Sequence, residues 1–182
     1  VTGVKPSWGV LTGVRPSKLM HKLTEEMGED GARAYFTDRL LVSPQKTELA
    51  MTVAKAEKGI MARSKPDSFS FYVSIPFCPG RCSYCSFVSS AVNTPSAQKL
   101  IPGYFEKLIA EIKRSGELAK GAGIHMLSAY VGGGTPSILT AEQIDTLLQT
   151  VYASFDMSQC REFTFEAGRP DTITEEKLSV LK

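Results

Sequence analysis

Three cysteines, Cys78, Cys82 and Cys85, fall within eight residues in Cys78-Pro79-Gly80-Arg81-Cys82-Ser83-Tyr84-Cys85. A kinked segment this short can turn all three thiolates toward one soft-metal centre, and sulfur ligands suit an iron-sulfur cluster or zinc. A structural zinc ion wants four protein ligands. The loop contains no histidine and no further cysteine, and Cys160 and His125 belong to other segments, so zinc needs a distant recruit. A 4Fe-4S cube held by three thiolates keeps one iron open for a non-protein group. Inert or disulfide-forming thiols are the remaining reading. A tight group in a chain with no export signal favours metal ligation over a disulfide framework.

Two further segments could serve such a centre. Gly132-Gly133-Gly134-Thr135-Pro136-Ser137 lacks the Gly-Lys-Ser/Thr end of a Walker loop and is not a full GxGxxG fingerprint. Read alone it is either a tight strand-to-helix turn or a place where another molecule approaches bare backbone. Glu166, at the end of Phe163-Thr164-Phe165-Glu166-Ala167, is a solvated or paired carboxylate unless the strand end is the working face. Periodicity alone does not distinguish Tyr72 from a core aromatic with a satisfied hydroxyl.

The elements that position these residues follow from hydropathy. Phe69, Phe71, Val73 and Ile75 alternate with Ser70, Tyr72 and Ser74, the period of a strand that Pro76 ends. A helix is predicted from about Gly103 to Ser115, with Phe105, Leu108, Ile109 and Ile112 on one face. Leu127 to Val131 reads as a strand. Thr140 and Gln143 then have capping-box spacing ahead of Ile144, Leu147, Leu148 and Val151. Phe163 to Ala167 is a third strand and Thr172 to Lys182 a third helix. Successive βα units imply a parallel sheet whose working residues lie beyond the strands' carboxyl ends. The cysteine loop, the glycine run and Glu166 all fall there.

Residues 1–66 read as a separate helical region. Leu19, Met20, Leu23 and Met27 form a stripe that stops at Gly28, and Ser43-Pro44 opens a second helix with Leu49, Val53 and Ile60. Ser64-Lys65-Pro66-Asp67 breaks the pattern, which puts the boundary between 1–66 and 67–182. With 42% apolar and 22% charged residues, the chain has the balance of a globular protein. A net charge of +2, scattered, gives no case for nucleic acid, and no apolar run suggests a membrane span, so a cytoplasmic setting is expected. Val1 in place of Met, and Lys182 inside a helical stretch, lead us to expect a chain cut at both ends. His21, on a polar helix face, and His125, in a connecting segment, read as solvated histidines, Cys160 as a packed or idle thiol and Arg15 as a surface or salt-bridged arginine.

The CxxxCxxC spacing with an aromatic before the last cysteine, placed after the first strand of a βα repeat, resembles the radical S-adenosylmethionine superfamily. Together, YVSIPFCPGRCSYCSF, YVGGGTPSIL and FTFEAGRPDTIT resemble the oxygen-independent coproporphyrinogen III oxidase (coproporphyrinogen dehydrogenase) group over about residues 69 to 182. The EAGRPD form and the WGVLTGVRPSKL segment are most similar to its HemZ-type branch. This resemblance implies a 4Fe-4S cluster on Cys78, Cys82 and Cys85 whose open iron binds S-adenosyl-L-methionine. One electron then splits the sulfonium and releases a 5'-deoxyadenosyl radical. It implies Tyr72 beside the cosubstrate, Tyr84 and Phe87 toward the adenine, Gly133, Gly134 and Thr135 at the methionine end, and Glu166 in contact with the cosubstrate. It further implies oxidative decarboxylation of coproporphyrinogen III to protoporphyrinogen IX, with Tyr72 and Glu166 as catalytic residues and a reduced flavodoxin- or ferredoxin-type electron donor. The best-known oxidases carry histidine where Ser74 stands and cysteine where Phe87 stands. Haem-chaperone relatives also have phenylalanine there, so haem delivery without porphyrinogen turnover is the alternative. The implied fold is an α/β, TIM-type parallel barrel, truncated after about three βα units and preceded by the helical region. A half-barrel leaves a sheet edge unpaired, which predicts poor solubility unless it is covered.

Overall fold

In a computed structural model, residues 3–13, 15–87 and 89–182 are described. Val1 and Val14, used in the sequence reading, lie outside them. The chain divides into two compact units, Val1–Lys65 and Pro66–Lys182.

The first unit is helical. Helix α1, Pro16–Ala34, begins on a proline whose missing N–H would have had no helical partner anyway. Gly28 does not end it. With φ 78° and ψ 173° it kinks the helix, which resumes and widens into a π-helical turn at Tyr35–Arg39. Helix α2, Pro44–Met61, is capped by Ser43, whose hydroxyl accepts from the Lys46 N–H at 3.4 Å. Met20, Leu23, Ala32, Phe36, Val42, Ala50, Met51 and Ala54 form the core. The stripe expected on α2 is therefore wrong. Leu49, Val53 and Ile60 are 46%, 38% and 63% exposed, whereas the smaller Thr47, Ala50 and Ala54, with Met51, face α1. His21 also departs from expectation, because its Nε2 is buried with no partner.

The second unit is built on strands β1, Ser68–Ile75; β4, His125–Gly133; and β5, Glu162–Phe165. They form a parallel sheet in the order β1-β4-β5, with Tyr72 opposite Tyr130 and Tyr130 opposite Thr164. His125 is thus the first residue of a strand rather than part of a linker. Helices α3, Pro95–Ala122, and α4, Ala141–Ser154, supply the crossovers, and α5, Glu175–Leu181, packs on α4. Val73, Ile75, Ala129 and Val131 on one sheet face meet Leu108, Ile112, Ile144, Leu147 and Val151 of the helices. The opposite face carries Ser70, Tyr72, Ser74, Ser128, Tyr130 and Thr164, with the Ser128 hydroxyl donating to Ser70 at 2.9 Å.

Helix α3 is longer at both ends than expected. Thr94 caps it by accepting from the Ala97 N–H at 3.4 Å, Pro95 starts it, and Pro102 is accommodated inside. Gly116, just past the expected end, is a contact point inside the helix, since a β-carbon there would lie 2.3 Å from the Ser154 carbonyl oxygen. The capping box of α4 forms as its spacing predicts, with Thr140 and Gln143 each accepting from the other's backbone N–H at 3.1 and 3.0 Å.

Candidate cofactor site

The cysteine loop is closed at its base by a short parallel pair, β2 at Phe77–Cys78 and β3 at Ser90–Ala91. The Ser90 N–H donates to the Pro76 carbonyl at 2.9 Å and the Val92 N–H to that of Cys78 at 2.8 Å. Inside it a turn brings the Cys85 N–H onto the Cys82 carbonyl at 3.1 Å. All three cysteines are free and half-buried. They line one cavity of about 190 Å³ together with Tyr84, Phe87, Gly134, Thr135, Gly168 and Arg169. Cys78 Sγ lies 3.5 Å from Ser89 Oγ, and Arg169 Nη1 lies 3.8 Å from Cys82 Sγ.

The glycine run is stitched to the base of this loop. The Gly134 N–H donates to the Ile75 carbonyl and the Thr135 N–H to that of Phe77, each at 2.8 Å. Gly133 has φ 114°, open essentially to glycine alone, and a β-carbon on Gly134 would sit 2.5 Å from Phe77 O and 2.9 Å from Cys78 Sγ. The bareness of these residues thus first serves the chain's own cysteine loop. Tyr84 and Phe87 stand outward at 88% and 68% exposure. The Cys82 sulfur, as hydrogen-bond partner and by its charge, pushes the Tyr84 hydroxyl pKa up.

Tyr72 and Glu166 form a second group, on the polar sheet face rather than in the wall of the cysteine cavity. Tyr72 stacks on Tyr130, with ring centroids 5.8 Å apart and planes within 11°. Tyr130 donates to Glu166 Oε1 at 2.5 Å, and that bond pushes the tyrosine pKa up. A β-carbon on Gly132 would lie 3.1 Å from the Tyr72 hydroxyl, so the group sits over the start of the glycine run.

Sequence reasoning passed over Tyr130, Arg169 and Asp171. Tyr130 had a signal, since Ser128, Tyr130 and Gly132 alternate with the buried Ala129 and Val131 just as Tyr72 alternates with Phe71 and Val73. Arg169 had only its place beside Gly168. Cys160, read as a packed or idle thiol, packs against the core and lies 3.3 Å from the Glu162 carbonyl.

Among the described residues no group of three or more His, Cys, Asp or Glu side chains gathers closely enough to hold a single ion. A 4Fe-4S cube does not ask for that, because each thiolate ligates a different iron corner. Three free thiols lining one cavity, with a cation beside one of them, are a donor set that fits such a cluster.

A parallel βα repeat with a thiol-lined cavity at the carboxyl ends of its strands defines an α/β module with a candidate cofactor site. No family model matches the chain, and no solved structure matches it. Curated proteins do. The oxygen-independent coproporphyrinogen-III oxidase-like protein HemZ of Bacillus subtilis is 39% identical over 185 residues, 99% of this chain and 36% of that protein. Heme chaperone HemW of Lactococcus lactis is 37% identical over 117 residues, 64% of this chain and 27% of that protein. Anaerobilin synthase of Escherichia coli O157:H7 is 30% identical over 164 residues, 86% of this chain and 35% of that protein. The chain belongs to the radical S-adenosylmethionine superfamily, among its HemZ-like coproporphyrinogen-III oxidase-like proteins. It spans between about a quarter and about a third of the length of the curated relatives it matches. Among the described residues no helix is long and apolar enough to cross a membrane.

Proposed function

We propose that this chain is the cofactor-holding front of a radical S-adenosylmethionine enzyme that oxidatively decarboxylates coproporphyrinogen III to protoporphyrinogen IX. The observation that carries this reading is the shared cavity. Cys78, Cys82 and Cys85 line it together with Gly134 and Thr135, which follow a different strand. In this reading the three cysteines hold a 4Fe-4S cluster, and Gly133, Gly134 and Thr135 receive the methionine end of the cosubstrate. Tyr84 and Phe87 stand outward where an adenine can be covered. When bound, cluster and cosubstrate supply a one-electron route to hydrogen abstraction from carbon.

The chain's own residues do the positioning. Tyr130 fixes the Glu166 carboxylate by its 2.5 Å bond, which leaves the second carboxylate oxygen for a ligand hydroxyl. Tyr72, stacked on Tyr130, lies across the polar face. That face suits the interior of a parallel barrel, the three strands here forming its first part, with the porphyrinogen enclosed and bulk water excluded. Residues 1–66 form a separate helical domain ahead of the barrel domain at 67–182. The electron donor is a reduced flavodoxin- or ferredoxin-type protein, and the setting is cytoplasmic.

Haem delivery is the second reading, favoured by the 37% identity to HemW over the cysteine-bearing part of the chain and by Phe87 in the loop. The test is made on the full-length protein, reconstituted with iron and sulfide without oxygen. We expect a brown protein whose visible absorption fades in air and whose spectrum changes when S-adenosylmethionine is added, and Cys82→Ala without either property. Incubation with reductant, S-adenosylmethionine and coproporphyrinogen III then decides the activity. Protoporphyrinogen with carbon dioxide release supports the oxidase, and retained haem without carbon dioxide the chaperone. No iron uptake at all would refute both.

A further inference from the structure

The turn after β5 presents an arginine to the cysteine loop. Arg169 Nη1 lies 3.8 Å from Cys82 Sγ, within reach of an N–H···S bond, and the residue lines the cavity shared by all three cysteines. Its other edge is already engaged: Nε and Nη2 donate to the two carboxylate oxygens of Asp171 at 2.9 and 2.8 Å. A guanidinium gripped by a two-pronged carboxylate has a fixed plane, so Nη1 is aimed at the sulfur rather than free to swing.

The turn itself is fixed as firmly. Gly168 has φ +72°, and a β-carbon there would lie 2.7 Å from Thr135 Cγ2 and 3.0 Å from Ser137 Oγ. Ser137, 1% exposed, donates to the Ala167 carbonyl and meets Thr172 Oγ1 at 2.5 Å. Thr172 donates to the Arg169 carbonyl at 2.7 Å. Lys177, from α5, spends its ammonium on the carbonyls of Ser137 and Thr172 at 2.7 and 2.9 Å. Four residues outside the cysteine loop thus hold the backbone that carries Arg169. An ordinary surface ion pair between residues 169 and 171 would need none of this support.

We propose that Arg169, clamped by Asp171, is a positioning residue for the cluster, donating to the Cys82 sulfur and setting the cluster's reduction potential and its retention. This rests on the reading that Cys78, Cys82 and Cys85 hold that cluster. One-electron reduction adds negative charge to the cluster, and a cation bonded to a ligand sulfur favours the reduced form, so the arginine makes the potential less negative. The bond also opposes departure of the Cys82 thiolate from iron, as outer-shell partners of metal ligands do.

The test uses the full-length protein, reconstituted without oxygen, as wild type, Arg169→Gln, Arg169→Lys and Asp171→Asn. Midpoint potentials come from redox titration followed by electron paramagnetic resonance, and iron loss from transfer to a chelator. Arg169→Gln is expected to shift the potential to more negative values and to lose iron roughly tenfold faster or more. Arg169→Lys, which keeps charge without the fork, should fall between it and wild type, and Asp171→Asn, which frees the guanidinium to swing from the sulfur, should lose iron faster than wild type. Should Arg169→Gln fail to fold, as read by circular dichroism, Asp171→Asn carries the comparison, and wild-type iron loss there overturns the proposal. Wild-type potential and iron loss in a folded Arg169→Gln overturn it as well. A wild-type protein that takes up no iron refutes the cluster reading itself, which is a different result.

Discussion

Gly134→Ala is the smallest change that tests whether the glycine run exists to seat the cysteine loop. Gly134 does not adopt a positive φ, so alanine meets no backbone penalty there and the effect is one of contact. The new methyl group would lie 2.5 Å from the Phe77 carbonyl oxygen and 2.9 Å from Cys78 Sγ, whereas ordinary contact begins near 3.4 Å. Backbone must therefore part by roughly an ångström on the carbonyl side. Two hydrogen bonds oppose the movement, Gly134 N–H to Ile75 and Thr135 N–H to Phe77, each 2.8 Å long. Overpacking of this kind costs about 1–3 kcal/mol and each of the two weakened bonds about 1 kcal/mol, so the loss should be about 3–5 kcal/mol. The comparison is Gly121→Ala, in α3, where a β-carbon meets nothing within 4 Å. It should stabilise by about 0.5–1 kcal/mol through helix propensity. Urea unfolding of the full-length protein measures both. Iron per chain after reconstitution supplies the second readout, and it should fall in Gly134→Ala although no thiol has been removed. Matching unfolding midpoints and matching iron contents in the two variants would refute the reasoning.

Three further outcomes follow from the same structure. Ile144→Ala empties a fully buried site at the centre of the sheet-helix core and should destabilise by about 3–4 kcal/mol in urea, with iron binding per folded molecule unchanged. Tyr130→Phe removes the donor to Glu166 and should weaken S-adenosylmethionine binding by about three- to tenfold in an equilibrium titration; an unchanged affinity would make the pair purely structural. In the first unit the Lys55 ammonium, by hydrogen bond and charge, and Arg33 beside it hold the Glu29 carboxyl pKa below its ordinary 4.5. A carboxyl depressed in the folded state contributes stability that is present above its unfolded value and lost as pH falls through the folded one. Wild type should therefore lose more stability than Glu29→Gln on acidification below about pH 4.5, measured as urea midpoints against pH.

What could be read from the sequence followed from how local the determining physics is. Alternation in β1 and the Thr140–Gln143 box are settled by neighbours in the chain, and both form as their spacing predicts. The α2 stripe failed because burial on a helix depends on its partner. The face packed on α1 carries Ala50, Met51 and Ala54 rather than Leu49 and Val53. The expected end of α3 at Ser115 failed in the same way: Gly116 marks a contact with α4 inside the helix, and the end, at Gly123 with φ 67°, lies seven residues beyond it.

The site repeats this division. Three cysteines in eight residues are visible without a structure, because one loop contains them. That Gly134 backs Cys78, that Tyr130 stacks on Tyr72 and that Arg169 reaches Cys82 across 87 positions of sequence are consequences of parallel register. In such a sheet every strand ends at the same edge, so residues from three separate turns converge there. On the proposed reading the loop supplies the ligands, and the neighbouring turns hold them: the glycine run from behind, and Gly168 with Arg169 from the side. A substitution in either turn should therefore alter the cluster without touching a ligand, and by different routes. Gly134→Ala acts by displacing the loop, and Arg169→Gln by removing a charge from a loop left in place.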